Sequence, residues 1–120
     1  MADTLQVGTA SAGPGEKRWG IIETLCLPNG QTAHSPCVVI RGRRAGPVLY
    51  VGAGTHGDEV NSIEIARCTA ESLEPASIRG SVIIVPVHNV PAVLAGQRAT
   101  PFDGLDLDTT YPGDPQGSAS

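Results

Sequence analysis

His56 and Glu59 are the residues whose types and spacing most directly suggest chemistry. They lie in the segment Gly-Ala-Gly-Thr-His-Gly-Asp-Glu (52–59), which directly follows an apolar run. An imidazole and a carboxylate three positions apart share one face of a helix. Nitrogen and carboxylate oxygen donors suit zinc, and a catalytic zinc site uses three protein ligands and leaves one position for water. The spacing alone leaves two interpretations open: a metal-binding pair, or a turn-capping histidine beside a solvated acid.

The same segment contains three glycines with the spacing G-x-G-x-x-G, which is typical of dinucleotide-binding loops: Gly52, Gly54 and Gly57. A bound pyrophosphate needs the positive end of a helix, where Asp58 and Glu59 would add two negative charges. The motif also requires an acidic residue about 20 positions further on to bind the ribose. The next apolar run ends in His88-Asn89 instead. A dinucleotide-binding domain is therefore the weaker hypothesis.

Length and composition describe one small folded domain. The chain has 120 residues, of which 40% are hydrophobic and 17% charged. A net charge of −4 without a basic stripe, and an aromatic content of 3%, argue against nucleic-acid binding. No apolar run approaches the ~20 residues of a membrane span, and the N-terminus does not resemble a secretory signal. Three cysteines without C-x-x-C spacing indicate reduced thiols, so we expect a cytoplasmic protein. From the charge, the aromatic content and the short apolar runs, we expect neither nucleic-acid nor membrane partners.

The first part of the chain predicts a flexible arm followed by a β-hairpin. Residues 1–17 are polar and rich in small residues, which is typical of a flexible N-terminal arm. An extended segment over 19–27 ends at the turn Pro28-Asn29-Gly30, and a second strand is predicted over 37–41.

The middle of the chain predicts a β-α-β unit. Residues 47–53 form a continuous apolar run, which indicates a strand buried on both faces. A helix is predicted over 58–73, because apolar side chains recur there at three- and four-residue steps: Val60, Ile63, Ala66, Ala70 and Leu73. A third apolar run over 81–87 completes the unit. With the preceding hairpin, this predicts an α/β fold with a mixed β-sheet.

Residues 99–120 differ in composition from the rest of the chain. They contain no Lys or Arg, but several Gly and Pro and four aspartates: Asp103, Asp106, Asp108 and Asp114. An irregular segment this long is uncommon in a compact domain unless it is functional. A solvated acidic tail is the alternative.

Four motifs occur in a fixed order along the chain: Gly-Thr-His-Gly-Asp-Glu (54–59), Val-Pro-Val-His-Asn-Val-Pro-Ala (85–92), Gly-Gln-Arg (96–98) and Asp-Gly-Leu-Asp-Leu-Asp-Thr-Thr-Tyr-Pro-Gly (103–113). Together they resemble the succinylglutamate desuccinylase/aspartoacylase family, a branch of the zinc carboxypeptidase-like hydrolases. The resemblance spans about 42–117. It implies the N-terminal part of a zinc carboxypeptidase-like fold, with an α/β core over 18–98 and an acidic active-site loop over 99–120.

The resemblance also implies a role for each matching residue. His56 and Glu59 match the first two ligands of a single zinc ion. Arg98 matches the arginine that polarises the scissile carbonyl and stabilises the developing oxyanion. Asp106 matches the acid that accepts the other N–H of the zinc-bound histidine and fixes its tautomer. The implied reaction is hydrolysis of an N-acyl amide, typically of an amino acid, by zinc-activated water.

Two residues depart from the family pattern. After Asp106 the family has Leu-Asn-Arg, in which Asn and Arg bind the substrate's carboxylate, whereas this chain has Leu107-Asp108-Thr109. Asp108 and Thr109 occupy these substrate-binding positions, where the cation of the family pattern is lost and an anion is gained. This change disfavours binding of a substrate carboxylate. Either the substrate lacks an α-carboxylate, or another residue supplies the charge, or the site is degraded. The last alternative would describe a non-catalytic relative that keeps the fold for binding or assembly.

The family's third zinc ligand and its catalytic glutamate are expected beyond Ser120. His88 is a weak candidate for a substitute ligand, and His34 lies in a predicted loop. Two protein ligands bind zinc weakly and no general base remains, so residues 1–120 alone are expected to be inactive. The strand over 81–87 is expected to have an exposed edge through which copies could pair.

Overall fold

The computed structural model describes residues 3–120. Within these residues the chain forms six strands and two α-helices: β1 (Leu5–Val7), β2 (Ala10–Ala12), β3 (Lys17–Cys26), β4 (Thr32–Arg41), β5 (Arg44–Gly52), α1 (Val60–Ser72), β6 (Arg79–Val85) and α2 (Val90–Ala95). Single 3-10 turns lie at Pro75–Ser77 and Leu107–Thr109. None of the described helices is long and apolar enough to cross a membrane.

The main sheet has the strand order β3-β4-β6-β5 and is mixed, as predicted. The hairpin strands β3 and β4 are antiparallel, and β4 is antiparallel to β6. The strands β5 and β6 are parallel, because α1 carries the chain back across the sheet between them. The carboxyl ends of β5 and β6 therefore meet at one edge of the sheet.

Each face of the sheet carries its own hydrophobic core. On one face, Ala66 and Ala70 of α1 pack against alternate residues of the central strands: Val38, Ile40, Val82 and Ile84. On the other face, the small hairpin of β1 and β2 covers Cys37, Val39 and Val85.

The flexible arm predicted over 1–17 is thus mostly folded. Ala10 and Ala12 are fully buried, since small side chains let the hairpin approach the sheet closely. The small residues that suggested flexibility serve tight packing instead. Residues 1–2 of the predicted arm lie outside the described residues.

Two predictions about the strands were wrong. The run over 47–53 was expected to be buried on both faces, but β5 is an edge strand, with Val48 and Leu49 each 58% exposed. Conversely, the run over 81–87 was expected to have a free edge, but β6 lies between β4 and β5. An apolar run indicates a strand, yet it does not show which neighbours cover that strand. The edge strands of the described sheet are β3 and β5.

The helix α1 forms close to where it was predicted but buries less of its surface. Of the five expected core positions, Ala66 and Ala70 are buried, whereas Val60 is 60% exposed. The side chain of Lys17 caps the end of this helix, with Nζ donating to the carbonyls of Glu71 at 2.8 Å and Leu73 at 2.9 Å.

Candidate metal centre

The candidate site lies at the edge where β5 and β6 end. His56 follows β5 in a short loop that leads into α1, and Glu59 is the N-cap residue of α1. Arg98 follows α2, a helix that the sequence analysis did not predict. Its signals were present, because Asn89 is the N-cap, Pro91 occupies the first turn and Gly96 ends the helix with a positive φ of 63°.

His56 is held between acidic side chains on both sides of its ring. The ring is buried, with 5% of the residue exposed. Its Nδ1 lies 3.0 Å from Glu59 Oε1, and its Nε2 lies 2.9 Å from Asp106 Oδ1. A second carboxylate oxygen, Asp108 Oδ2, lies 3.3 Å from the same Nε2. The two ring nitrogens therefore face different partners.

Arg98 joins the carboxylates on either side of His56. Its Nη1 lies 3.6 Å from Glu59 Oε1, and its Nε lies 3.3 Å from Asp106 Oδ2. The guanidinium is about half exposed, so part of it faces solvent above the site. The expected residues His56, Glu59, Arg98 and Asp106 thus lie together, although 50 positions separate the first from the last.

His56 and Asp106 shift each other's pKa values. The hydrogen bond to Asp106, followed by that to Glu59, raises the pKa of His56 above its usual value. The hydrogen bond from His56 lowers the pKa of Asp106. In the absence of a metal ion, the site therefore favours a protonated His56 ring beside an ionised Asp106.

The donor set on the Nδ1 side fits a zinc ion. Two ligand atoms of a tetrahedral ion with bonds of about 2.0–2.1 Å lie about 3.3 Å apart. The 3.0 Å between His56 Nδ1 and Glu59 Oε1 is close to that separation. The Nε2 side is a second donor set, because ligand atoms of His56, Asp106 and Asp108 lie within 4.8 Å of one another. A proton on Nε2 that is donated to Asp106 leaves the lone pair of Nδ1 free. In this tautomer His56 could bind a metal ion through Nδ1 only.

The residues at 108 and 109 are placed differently from each other. Asp108 points toward the His56 ring, a contact that the sequence analysis did not anticipate. Thr109 instead donates its hydroxyl to the backbone carbonyl of Asp106 at 2.7 Å, which stabilises the 3-10 turn. Asp106 also caps this turn, since Oδ1 accepts from the Asp108 amide at 3.1 Å.

The other two histidines have different surroundings. His34 lies on β4 opposite Glu23, not in the predicted loop. The ring of His88 contacts the carbonyl oxygen of Ala53 at 3.0 Å and the hydroxyl of Tyr50. Both ring nitrogens of His88 are thus already engaged, which disfavours it as a substitute metal ligand.

The three glycines of the phosphate-loop spacing have packing roles in this fold. A Cβ on Gly52 would lie 2.2 Å from the His88 ring, and one on Gly57 would lie 2.0 Å from the carbonyl oxygen of Ala92. Gly54 has a positive φ of 65°. The glycines therefore allow close approach of neighbouring chain segments, which explains their spacing without a bound nucleotide.

The sequence and the fold both match known deacylases. Residues 45–120 match the succinylglutamate desuccinylase/aspartoacylase catalytic domain. The chain is 40% identical over 85 residues to the N-alpha-acetyl-L-2,4-diaminobutyric acid deacetylase of Halomonas elongata. It is 32% identical over 102 residues to the succinylglutamate desuccinylase of Burkholderia lata. The structure of a succinylglutamate desuccinylase/aspartoacylase from Rhodobacter sphaeroides superposes over 85% of the chain with a TM-score of 0.78 and 31% identity.

These similarities show that the chain has the α/β fold of this group of proteins. More specifically, the chain belongs to the succinylglutamate desuccinylase/aspartoacylase family, as its motifs predicted. The matches cover 71% and 82% of this chain but 25% and 28% of the two curated relatives. The match covers 32% of the Rhodobacter sphaeroides protein chain. The described residues therefore correspond to about a quarter to a third of the relatives' length.

Proposed function

We propose that this chain is part of a zinc-dependent deacylase that hydrolyses the amide bond of an N-acyl amino acid or a related N-acyl amine. The observation that carries the proposal is the position of His56, with one ring nitrogen 3.0 Å from Glu59 and the other 2.9 Å from Asp106. Metal-binding histidines commonly have this arrangement, in which a carboxylate holds the nitrogen that does not bind the metal. The named activities of the two relatives, a deacetylase and a desuccinylase, agree with it.

His56 and Glu59 would hold the ion, which would supply Lewis-acid polarisation and activate water near neutral pH. Asp106 keeps the proton on Nε2 of His56, so that Nδ1 presents its lone pair. Arg98 offers guanidinium donors to the acyl oxygen, where negative charge develops during hydrolysis. Its contact with Asp106 at 3.3 Å orients the guanidinium toward the site.

The test compares the polypeptide continued past Ser120 in its reading frame, here termed the extended chain, with residues 1–120 alone. We expect about one zinc per extended chain and deacylation of N-acyl amino acids. We expect no turnover by residues 1–120, because His56 and Glu59 alone would bind zinc weakly. His56→Ala should abolish both properties. His34→Ala removes an exposed imidazole from β4 and serves as the matched control. Zinc content and turnover that survive His56→Ala would refute the proposal.

A second candidate function is metal or ligand binding without catalysis. It is favoured by Asp108, whose carboxylate lies 3.3 Å from His56 Nε2 and adds negative charge where the family pattern has Asn followed by Arg. Changing Asp108→Asn and Thr109→Arg together in the extended chain separates the two candidates. A gain in turnover of carboxylate-bearing substrates would indicate an enzyme with altered specificity. No turnover in either form would favour a binding protein.

We also propose that the protein acts in the cytoplasm on small N-acyl substrates and can self-associate. The thiols of Cys26, Cys37 and Cys68 are free, which agrees with a reducing compartment. Self-association is proposed through the edge of β5, because that strand has one neighbour in the described sheet and exposes Val48 and Leu49.

A further inference from the structure

The ring of His88 lies at the end of β6 and contacts the segment that leads to His56. Its Nδ1 is 3.0 Å from the carbonyl oxygen of Ala53. The backbone amide of His88 donates to the same oxygen at 2.9 Å, and the amide of Asn89 donates to the carbonyl of Gly54 at 2.9 Å. Three hydrogen bonds from His88-Asn89 therefore hold the first two residues of the loop.

The contacts of the His88 ring define its protonation. A carbonyl oxygen only accepts, so Nδ1 carries the proton that is shared with Ala53. The other nitrogen, Nε2, then presents a lone pair, and the hydroxyl of Tyr50 donates to it. Burial lowers the pKa of His88, which keeps the ring neutral at pH 7 and preserves this pattern. Gly52 leaves the space for the ring, since a Cβ there would lie 2.2 Å from it.

We propose that His88 is a positioning residue, which fixes the Ala53–Gly54 turn and thereby the direction in which His56 presents Nδ1 to Glu59. The inference rests on the proposed function, because it assigns His88 to the same metal centre. His56 follows Gly54 by two positions, in a loop that belongs to no helix or strand. The loop therefore depends on contacts from neighbouring segments for its orientation. The residue acts through the backbone of Ala53 and needs no contact with metal or substrate.

The first test measures amide hydrogen exchange without metal. His88→Ala should accelerate exchange at Asn89, whose amide is bonded to Gly54, and at Glu59, whose amide is 3.3 Å from the carbonyl oxygen of His56. His88→Asn should recover most of the protection, because the asparagine amide nitrogen can donate from nearly the position of Nδ1. Val39→Ala, a buried large-to-small change on β4, is the control for general loss of stability.

The second test measures zinc affinity of the extended chain by competition with a chelator. His88→Ala should weaken binding about tenfold, the lower end of the effect of removing an outer-shell partner. His88→Asn should stay close to the native affinity, and Val39→Ala should not weaken it. Tyr50→Phe removes only the hydroxyl that orients the ring. The zinc affinity of this variant should therefore lie between that of the native extended chain and that of His88→Ala.

The outcomes separate this inference from the proposed function. Unchanged exchange at Asn89 and Glu59, or an unchanged zinc affinity, in His88→Ala would overturn the positioning role. Equal losses of affinity in His88→Ala and Val39→Ala would overturn it as well, since both would then reflect stability alone. A native extended chain that binds no zinc would refute the proposed function, and the exchange measurement would then decide the role of His88 by itself.

Discussion

Gly57→Ala is the change whose effect follows most directly from the packing around the site. A Cβ at position 57 would lie 2.0 Å from the carbonyl oxygen of Ala92 and 2.3 Å from that of Gln97. Ordinary contacts between these atom types exceed 3 Å, so the loop and the end of α2 must separate by about 1 Å. Both obstacles are backbone atoms that cannot rotate away. Overpacking of this kind costs about 1–3 kcal/mol, and we expect about 3 kcal/mol here.

The assay is urea unfolding at equilibrium, with Gly30→Ala as the matched control. Gly30 has a φ of 83° and open space around its Cβ position, so its change reports backbone strain without a steric clash. That strain costs about 1–2 kcal/mol. The displaced loop carries His56, so Gly57→Ala should also weaken zinc binding by the extended chain, whereas Gly30→Ala should not. Equal stabilities of the two variants, with equal zinc affinities, would refute the reasoning.

Three further predictions concern other contacts of the described residues. Asp106→Asn should lower the pKa of His56, measured by NMR titration of the ring, and weaken zinc binding about 10–100-fold in a chelator competition. Protonated His56 contributes to the free energy of unfolding of the metal-free native chain, because its pKa is higher in the folded than in the unfolded state. This contribution is fully present below the unfolded pKa of about 6.5 and is lost as the pH rises through the raised folded pKa. Lys17→Met should reduce the free energy of unfolding by about 1–2 kcal/mol, because it removes the donors to the last carbonyls of α1; Arg18→Met, which removes an exposed ion pair, should have a smaller effect. Leu49→Lys should reduce any self-association seen by sedimentation, because a charge on the edge of β5 opposes strand pairing, and an unchanged association state would exclude that edge as the interface.

Much of the main sheet could be predicted from the sequence, since β5, β6 and the second half of β4 are distinct apolar runs. The first half of β4, from Thr32 to Pro36, was missed because it is mostly polar. The helix α1 was also predictable, because its apolar residues recur with helical spacing. The role of β5 as an edge strand was not predictable, because β5 and β6 have similar apolar runs and only the strand order distinguishes them. The folded hairpin of β1 and β2 was missed, since strands of three residues give almost no periodic signal.

The candidate site was predictable in part, for a different reason. The spacing of His56 and Glu59 places them on one helical face, so their proximity follows from local geometry. The approach of Asp106 to the ring is a contact across 50 positions, and it was expected only through resemblance to a family. The position of Asp108 beside the same nitrogen, and the contact of His88 with Ala53, depend on how two loops fold together. No local pattern in the sequence reports such contacts.

The small hairpin at the start of the chain makes Cys37 a natural reporter of local opening. Its thiol is fully buried under the hairpin, with Sγ 3.5 Å from the carbonyl oxygen of Val7, and burial raises its pKa. Cys26 and Cys68 are exposed and should react with an alkylating reagent before Cys37, with Cys68 slower than Cys26 because its hydrogen bond to Glu64 raises its pKa. Alkylation of Cys37 requires the hairpin to detach from the sheet. The slow phase of labelling would therefore measure how often this covering layer lifts while the rest of the fold stays intact.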